Sequence, residues 1–182
     1  MAQYGRGGAG WRGVRLRLVL VAVAALVVVW PSPRLAHADP GPAPFDVADP
    51  AIGRLDPALL SAVQNAAVAA AADGVTMTIT SGWRSPEFQQ QLLDDAVQTY
   101  GSLAAARQFV QTPELSKHVV GQAVDVGGVG ADQWLVTNGS RYGLCRIYAN
   151  EVWHFELAAD ALGACPPLLP DAASPPPAKM TP

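Results

Sequence analysis

The chain has 182 residues, half of them hydrophobic, and a formal net charge of −3. This length fits one globular domain with flanking segments. Five of the twelve basic side chains and none of the fifteen acidic ones lie in residues 1–38, so removal of that segment would leave seven basic groups and a net charge of −8. Such a charge excludes the basic surface that nucleic-acid binding requires.

The N-terminal segment has the order of a secretory signal. Three arginines precede an apolar run over residues 18–30, and small residues end the segment at Ala38. We therefore predict a cleaved signal peptide over residues 1–38 and a protein secreted to the cell envelope. The run is shorter than the about 20 residues of a spanning helix, so an uncleaved anchor is the second interpretation. After cleavage we expect no stable membrane insertion.

The first predicted elements follow a linker. Residues 39–54 are rich in proline, alanine and aspartate, and we interpret them as that linker. Asp56 and Pro57 are typical of an N-cap and a first turn, and the helix they begin extends to about Ala72. Alternation of apolar and polar side chains from Val75 to Ser81 predicts a strand with one buried face.

The later elements are read in the same way. Ser85 and Pro86 predict a helix to about Tyr100, and Ser102 caps a shorter helix to about Gln111. Further predicted elements are a strand over residues 121–126, a helix over 132–138, and a strand pair over 145–148 and 153–157.

The folded domain is placed at residues 55–165. Seven prolines and few large apolar groups follow it, so we expect a disordered tail over residues 166–182. Cys145 and Cys165 are the two cysteines, and an even count in an exported chain favours a disulfide. Metal binding by these thiols is the alternative, but they lack a close C-x-x-C pairing.

Two histidines remain after residue 38, and each has carboxylates nearby in the sequence. Imidazole and carboxylate are zinc ligands, so His118, Asp125 and His154 could supply three protein ligands and leave a position for water. Glu151 would then act as general base. Arg84 follows the end of a predicted strand, where a fixed cation could hold an oxyanion or a substrate carboxylate.

Three motifs occur in order along residues 55–160. They are Ser81-Gly82-Trp83-Arg84-Ser85 with Gln89, Ser116-x-His118-x-x-Gly121-x-Ala123-x-Asp125, and Glu151-x-Trp153-His154. Together they resemble the zinc D-alanyl-D-alanine carboxypeptidase and dipeptidase family of the VanY and VanX type. Many relatives have proline where Val152 stands. Because residues three apart on a straight strand face opposite sides, Glu151 must precede the strand or the chain must bend there.

The resemblance implies both a fold and an activity. The fold would be α+β, with helices packed on an antiparallel sheet, as in the Hedgehog signalling domain. The implied zinc ligands are His118, Asp125 and His154, and the implied base is Glu151. Arg84 would bind substrate and stabilise the transition state. Ser116 and Gln89 would line the substrate pocket.

The substrate implied by the resemblance is the peptidoglycan stem peptide, from which a terminal D-alanine would be released, and we expect the enzyme to be a monomer. L,D-carboxypeptidase, dipeptidase or endopeptidase action stays open, as does a non-catalytic zinc-containing binding module. Structural roles also stay open: Asp125 and Ser116 could cap turns, Arg84 could form a surface ion pair, and Gln89 could be a solvated helix residue.

Overall fold

A four-stranded antiparallel sheet with helices packed against it forms the centre of the computed structural model, which describes residues 41–174. The helices are α1 (Pro50–Gly53), α2 (Pro57–Ala72), α3 (Pro86–Tyr100), α4 (Leu103–Ala106) and α5 (Ala131–Asn138), and a 3₁₀ turn follows over Gly139–Tyr142. The strands are β1 (Thr78–Ser81), β2 (Ala123–Gly127), β3 (Leu144–Arg146) and β4 (His154–Leu157), in the spatial order β1-β2-β4-β3. The predicted α+β class is confirmed.

No helix within residues 41–174 is long and apolar enough to cross a membrane. The predicted signal peptide over residues 1–38 lies outside the described residues.

Capping residues set the ends of the two long helices where the sequence predicts them. The Asp56 carboxylate accepts a hydrogen bond from the Ala58 amide at 2.8 Å, and α2 begins at the next residue, Pro57. The Ser85 hydroxyl accepts from the Phe88 amide at 3.1 Å at the start of α3. Gly101 ends α3 in the left-handed conformation.

One face of the sheet belongs to the hydrophobic core. Apolar side chains of α2, spaced three or four residues apart, share this core with side chains of β2 and β4: Leu59, Val63, Ala66, Ala70, Val124, Val126 and Phe155. Side chains alternate between the two faces of a strand. Asp125, which lies between two core valines, therefore faces the opposite side of the sheet.

Two predicted elements are shorter in the structure, by three residues or more, than the sequence pattern indicates. β1 begins at Thr78 instead of Val75, because its partner β2 ends at Gly127, opposite Thr78. Without a partner strand, the earlier residues have no ladder to join. α4 ends at Ala106 instead of near Gln111.

The linker predicted over residues 39–54 is wrong for its described part. Ile52 is fully buried in the core, and Asp49 caps α1 through a 2.8 Å bond from the Ala51 amide. The Pro42 carbonyl accepts a hydrogen bond from the Ile79 amide at 3.0 Å. The proline- and alanine-rich composition gives no sign of this single core isoleucine.

The disordered tail predicted from residue 166 is likewise wrong for residues 166–174. The Leu169 amide donates to the Ile147 carbonyl, and the Leu169 carbonyl accepts from the Ala149 amide, each at 2.8 Å. Ala172 is buried. These backbone bonds join segments that are about 20 residues apart, and local composition does not report such pairings. We call residues 166–174 the C-terminal strap.

A disulfide joins Cys145 in β3 to Cys165, directly before the strap, as predicted. Replacing both cysteines by alanine should lower the free energy of unfolding by roughly 3 kcal/mol, since the bridge closes a loop with a sequence separation of 20. Urea unfolding with and without a reductant measures this loss. The reductant should destabilise only the parent, and a parent indifferent to it would contradict the expectation.

Gly121 lies three residues after His118 and packs tightly against the residues directly before α2. Its φ is +71°, and an added Cβ would lie 2.6 Å from the Arg54 carbonyl oxygen. Gly74 is a matched control, with φ +80° and nothing within 4 Å of such a Cβ. Gly74→Ala should cost about 1–2 kcal/mol for the left-handed conformation alone. Gly121→Ala should cost clearly more in denaturant unfolding, and equal costs would refute the packing argument.

Candidate metal centre

The register of β2 and β4 places Asp125 directly opposite His154. Directly opposed residues of an antiparallel pair project from the same face of the sheet. Glu156 lies two residues beyond His154 and shares that face. The face turned away from the hydrophobic core therefore carries two carboxylates and one imidazole, all largely buried from solvent.

His118 reaches this face from a turn that precedes β2. Its carbonyl accepts hydrogen bonds from the Arg84 amide at 3.2 Å and from the Gly121 amide at 3.1 Å. Its ring Nδ1 lies 2.8 Å from the Gly82 carbonyl oxygen. These bonds fix the ring against the end of β1, and its Nε2 faces Asp125 and His154.

The three predicted metal ligands converge. His118 Nε2 lies 3.3 Å from His154 Nδ1 and 3.4 Å from Asp125 Oδ1, and the latter two atoms are 3.2 Å apart. Ligands about 2.0–2.1 Å from a tetrahedral zinc ion are separated by about 3.3–3.4 Å. The triangle therefore fits three ligands of one tetrahedral zinc ion, which leaves a fourth position.

The outer nitrogens of both imidazoles have acceptors. His154 Nε2 lies 3.1 Å from Glu156 Oε1, and His118 Nδ1 faces the Gly82 carbonyl. A ring that donates its outer N–H in this way presents the other nitrogen as a lone pair, which is the tautomer that metal ligation requires. Glu156 is not among the site residues predicted from the sequence, although the period of two along β4 places it on the same face as His154.

Proton affinities in the cluster are strongly perturbed. Burial opposes ionisation of Asp125, but the two imidazoles outweigh it and hold its pKa well below the ordinary range. Burial also opposes a charged His154, yet Asp125 and Glu156 raise its pKa to about 9. Burial lowers the pKa of His118. Because metal ligation needs the neutral imidazole, a metal ion would compete with a proton at His154.

Glu151 lies beside this triangle because the chain bends before β4. The His154 amide donates to the Glu151 carbonyl at 3.4 Å across a turn, so both side chains reach the same region. Glu151 Oε2 is 3.9 Å from His154 Nδ1, and buried Oε1 has no hydrogen-bond partner in residues 41–174. Burial raises the pKa of Glu151 to about 7. A carboxylate so placed is suited to proton transfer.

Arg84 is anchored by three hydrogen bonds. Its Nε donates to the Ser81 hydroxyl at 2.7 Å, Nη1 to Gln89 Oε1 at 3.1 Å, and Nη2 to Asp125 Oδ2 at 2.7 Å. Asp125 thus offers one oxygen to Arg84 and the other to the metal triangle. Two of the five N–H groups of the guanidinium remain for a substrate. Burial lowers the pKa of Arg84.

Gln89 and Ser116 lie in the wall of the site. Gln89 is buried, and its Nε2 donates to the Gln111 carbonyl at 2.8 Å. Both the oxygen and the nitrogen of its side-chain amide are therefore hydrogen-bonded to other residues of the protein. This arrangement suits a residue that positions Arg84. Ser116 is buried in the turn that leads to His118. Direct substrate contacts for both residues stay predictions.

A cavity of about 220 Å³ contains the triangle, Glu151 and Arg84. Tyr148 also lines it, with its ring centroid 5.0 Å from that of His154. Burial and then Glu156 raise the pKa of Tyr148 to about 12, so its hydroxyl stays a donor at neutral pH. Tyr148 is not among the site residues predicted from the sequence, where it is one aromatic residue of a predicted strand.

Known proteins are similar to this chain in sequence and fold. A D-alanyl-D-alanine carboxypeptidase of Enterococcus faecalis (strain ATCC 700802 / V583) is 31% identical over 145 residues, which cover 64% of this chain and 54% of the relative. The chain thus spans about half the length of that relative.

Two solved structures are similar to this chain over part of its length. One is a vancomycin resistance D,D-pentapeptidase VanY from a VanB-type cassette in complex with Zn(II), at a TM-score of 0.53 and 31% identity, covering 56% of this chain and 71% of that one. The other is VanYB in complex with D-alanine-D-alanine, at 0.53 and 30%, covering 56% and 70%. The family model of VanY, D-alanyl-D-alanine carboxypeptidase, matches residues 53–159, and the chain belongs to this family.

Proposed function

We propose that this protein is a zinc-dependent D,D-carboxypeptidase that removes the terminal D-alanine from peptidoglycan stem peptides. The observation that carries the proposal is the triangle of His118, Asp125 and His154 with the buried Glu151 beside it. Membership in the VanY family and the Zn(II) and D-alanine-D-alanine complexes of similar proteins support the choice of metal and substrate. We further propose that the enzyme is exported and monomeric.

Zinc, when bound, supplies Lewis acidity that polarises a carbonyl and activates a water molecule. The chain's own residues do the remaining work. Glu151 takes the proton of the attacking water at its carboxylate and delivers it to the leaving amine. Its pKa near neutrality matches a group that must both accept and release a proton. Arg84 holds Asp125 and offers its two remaining N–H groups to the substrate.

The shape of the site favours release of a single residue. The cavity around the triangle holds about 220 Å³, and a second cavity of about 790 Å³ adjoins it. A carboxypeptidase needs a small space for the leaving residue and a long space for the retained chain. An endopeptidase would need long spaces on both sides of the scissile bond.

The test is digestion of three peptides by the zinc-loaded protein without residues 1–38. The first ends in D-Ala-D-Ala, the second lacks the last D-alanine and so offers an L,D bond, and the third ends in L-Ala-L-Ala. Mass spectrometry should show loss of one alanine from the first peptide only, and a chelator should abolish it. Cleavage of only the second peptide, or of none in the presence of zinc, would overturn the proposal.

A further inference from the structure

We propose that the C-terminal strap builds a binding site for a carboxylate on the retained part of the substrate, and that Arg107 is its receptor. The inference rests on the proposed function for the identity of the substrate. The strap over residues 166–174 lies beyond residues 53–159, to which the family model matches.

The strap spans two segments that are far apart in sequence. Leu169 is bonded on both sides to residues 147–149, and the Ala172 carbonyl accepts from the Gln111 side chain at 2.8 Å. The Cys145–Cys165 disulfide fixes the chain directly before the strap. The strap is therefore tied down at three points along a short length, and it holds a defined shape.

The strap forms one wall of the larger cavity. Pro166, Pro167, Leu169 and Ala172 line this space of about 790 Å³. Six residues line both this cavity and the one around the metal ligands, so the two spaces adjoin: Gln111, Leu115, Ser116, Lys117, Tyr148 and Ala172. Only the larger cavity has room for several peptide residues, which assigns it to the chain that a carboxypeptidase retains.

Arg107 is positioned in this wall by the strap. Its Nε donates to Gln111 Oε1 at 3.1 Å, while Gln111 Nε2 donates to the Ala172 carbonyl. The side-chain amide of Gln111 thus links the strap to the Arg107 guanidinium. Within residues 41–174 the terminal nitrogens of Arg107 have no hydrogen-bond partner and no carboxylate within 4.0 Å. A free guanidinium fork of this kind matches a carboxylate in a bidentate manner.

Besides Arg107, the wall of the larger cavity carries one further cation and two acids. Lys117 is a second cation, and its only side-chain partner among the described residues is Gln122 Oε1 at 3.2 Å. Of the two acids in the wall, Glu156 accepts from His154 Nε2 at 3.1 Å and is committed to the metal ligand. Glu114 is exposed, and its charge repels an anion. The attraction for a substrate carboxylate therefore comes from Arg107 and Lys117.

The experiment compares peptides that end in D-Ala-D-Ala and carry either glutamate or glutamine at one of the three preceding positions. For the zinc-loaded parent, kcat/KM should favour glutamate over glutamine by about 10-fold at one position, as expected for a charge-assisted hydrogen bond. Arg107→Gln should bring this ratio close to one, and Arg107→Lys, which keeps the charge without the fork, should keep part of it. Arg141→Gln is the matched control, since Arg141 is exposed and lines neither cavity.

Two outcomes would overturn the inference: no preference for glutamate at any position in the parent, or a preference that survives Arg107→Gln. Failure of the proposed function has a different signature, namely that the parent cleaves neither peptide. In that case, calorimetric titration of the same peptide pairs into the parent and Arg107→Gln reads the same ratio from Kd. Equal affinities for glutamate and glutamine in the parent would then contradict the carboxylate site.

Discussion

Replacing Glu151 by glutamine is expected to lower kcat/KM on a D-Ala-D-Ala peptide by roughly 10²- to 10⁴-fold, the usual contribution of a general acid–base group. The substitution keeps the size of the side chain and removes its ability to accept the proton of water. Glu151 contributes no ligand atom to the metal triangle, so the zinc content of the variant should stay at one ion per chain. Steady-state kinetics and metal analysis on the same sample measure both quantities.

The matched control for this variant is Glu87→Gln, which removes a fully exposed carboxylate in the first turn of α3. It should leave kcat/KM within about twofold of the parent, because surface substitutions outside special features have small effects. Thermal unfolding of metal-free Glu151→Gln should show a Tm no lower than the parent, since the change removes a buried acid with an unsatisfied oxygen. A Glu151→Gln enzyme with parental turnover would refute the role of Glu151 as base.

The second large effect concerns zinc affinity and follows a graded series. Changes in groups that only orient metal ligands typically weaken metal binding by about 10- to 100-fold. His154→Ala deletes a ligand itself and should therefore weaken zinc binding by more than about 100-fold. Glu156→Gln removes the negative charge of such an orienting group, because the Glu156 carboxylate accepts from His154 Nε2 and the amide that replaces it is a weaker, neutral acceptor. Its loss should therefore fall within about 10- to 100-fold.

Competition with a chromophoric chelator gives zinc affinities for both variants and the parent, and turnover should fall in the same order. The opposite order, with Glu156→Gln weaker in zinc binding than His154→Ala, would mean that Glu156 is itself a ligand. Stoichiometric zinc at parental affinity in His154→Ala would remove His154 from the centre altogether.

Local signals in the sequence predict the ends of the two long helices well. Asp56 with Pro57, Ser85 with Pro86, and Gly101 act on their own backbone neighbours, so their effect can be read without knowledge of the fold. The alternation at β1 is equally local, but its length is decided by where β2 ends. That pairing involves residues about 50 positions apart.

The composition of the flanking segments misleads for a related reason. Residues 41–54 and 166–174 are rich in proline and alanine, yet a few of their residues, such as Ile52 and Leu169, join the core or bond to distant loops. One buried side chain or two backbone bonds suffice to order a short segment. Composition averages over such single residues and cannot report them.

The candidate site shows the same division. The motifs name the triangle and Glu151, and the structure brings these four side chains together. With Val152 in place of proline, the sequence did not show how the chain bends between Glu151 and His154. In the structure this bend is a turn closed by a hydrogen bond from the His154 amide to the Glu151 carbonyl. The partners of Arg84 and the link from the strap through Gln111 to Arg107 depend on tertiary contacts, for which the sequence holds no periodic pattern.

Zinc-edge X-ray absorption on the protein without residues 1–38, loaded with one equivalent of zinc, tests the metal centre most directly. The geometry predicts one zinc per chain with two imidazoles and only nitrogen or oxygen neighbours at about 2.0–2.2 Å. Since both cysteines form the disulfide, no sulfur shell should appear. A sulfur shell near about 2.3 Å, or a spectrum with fewer than two imidazoles, would contradict a centre built from His118, Asp125 and His154.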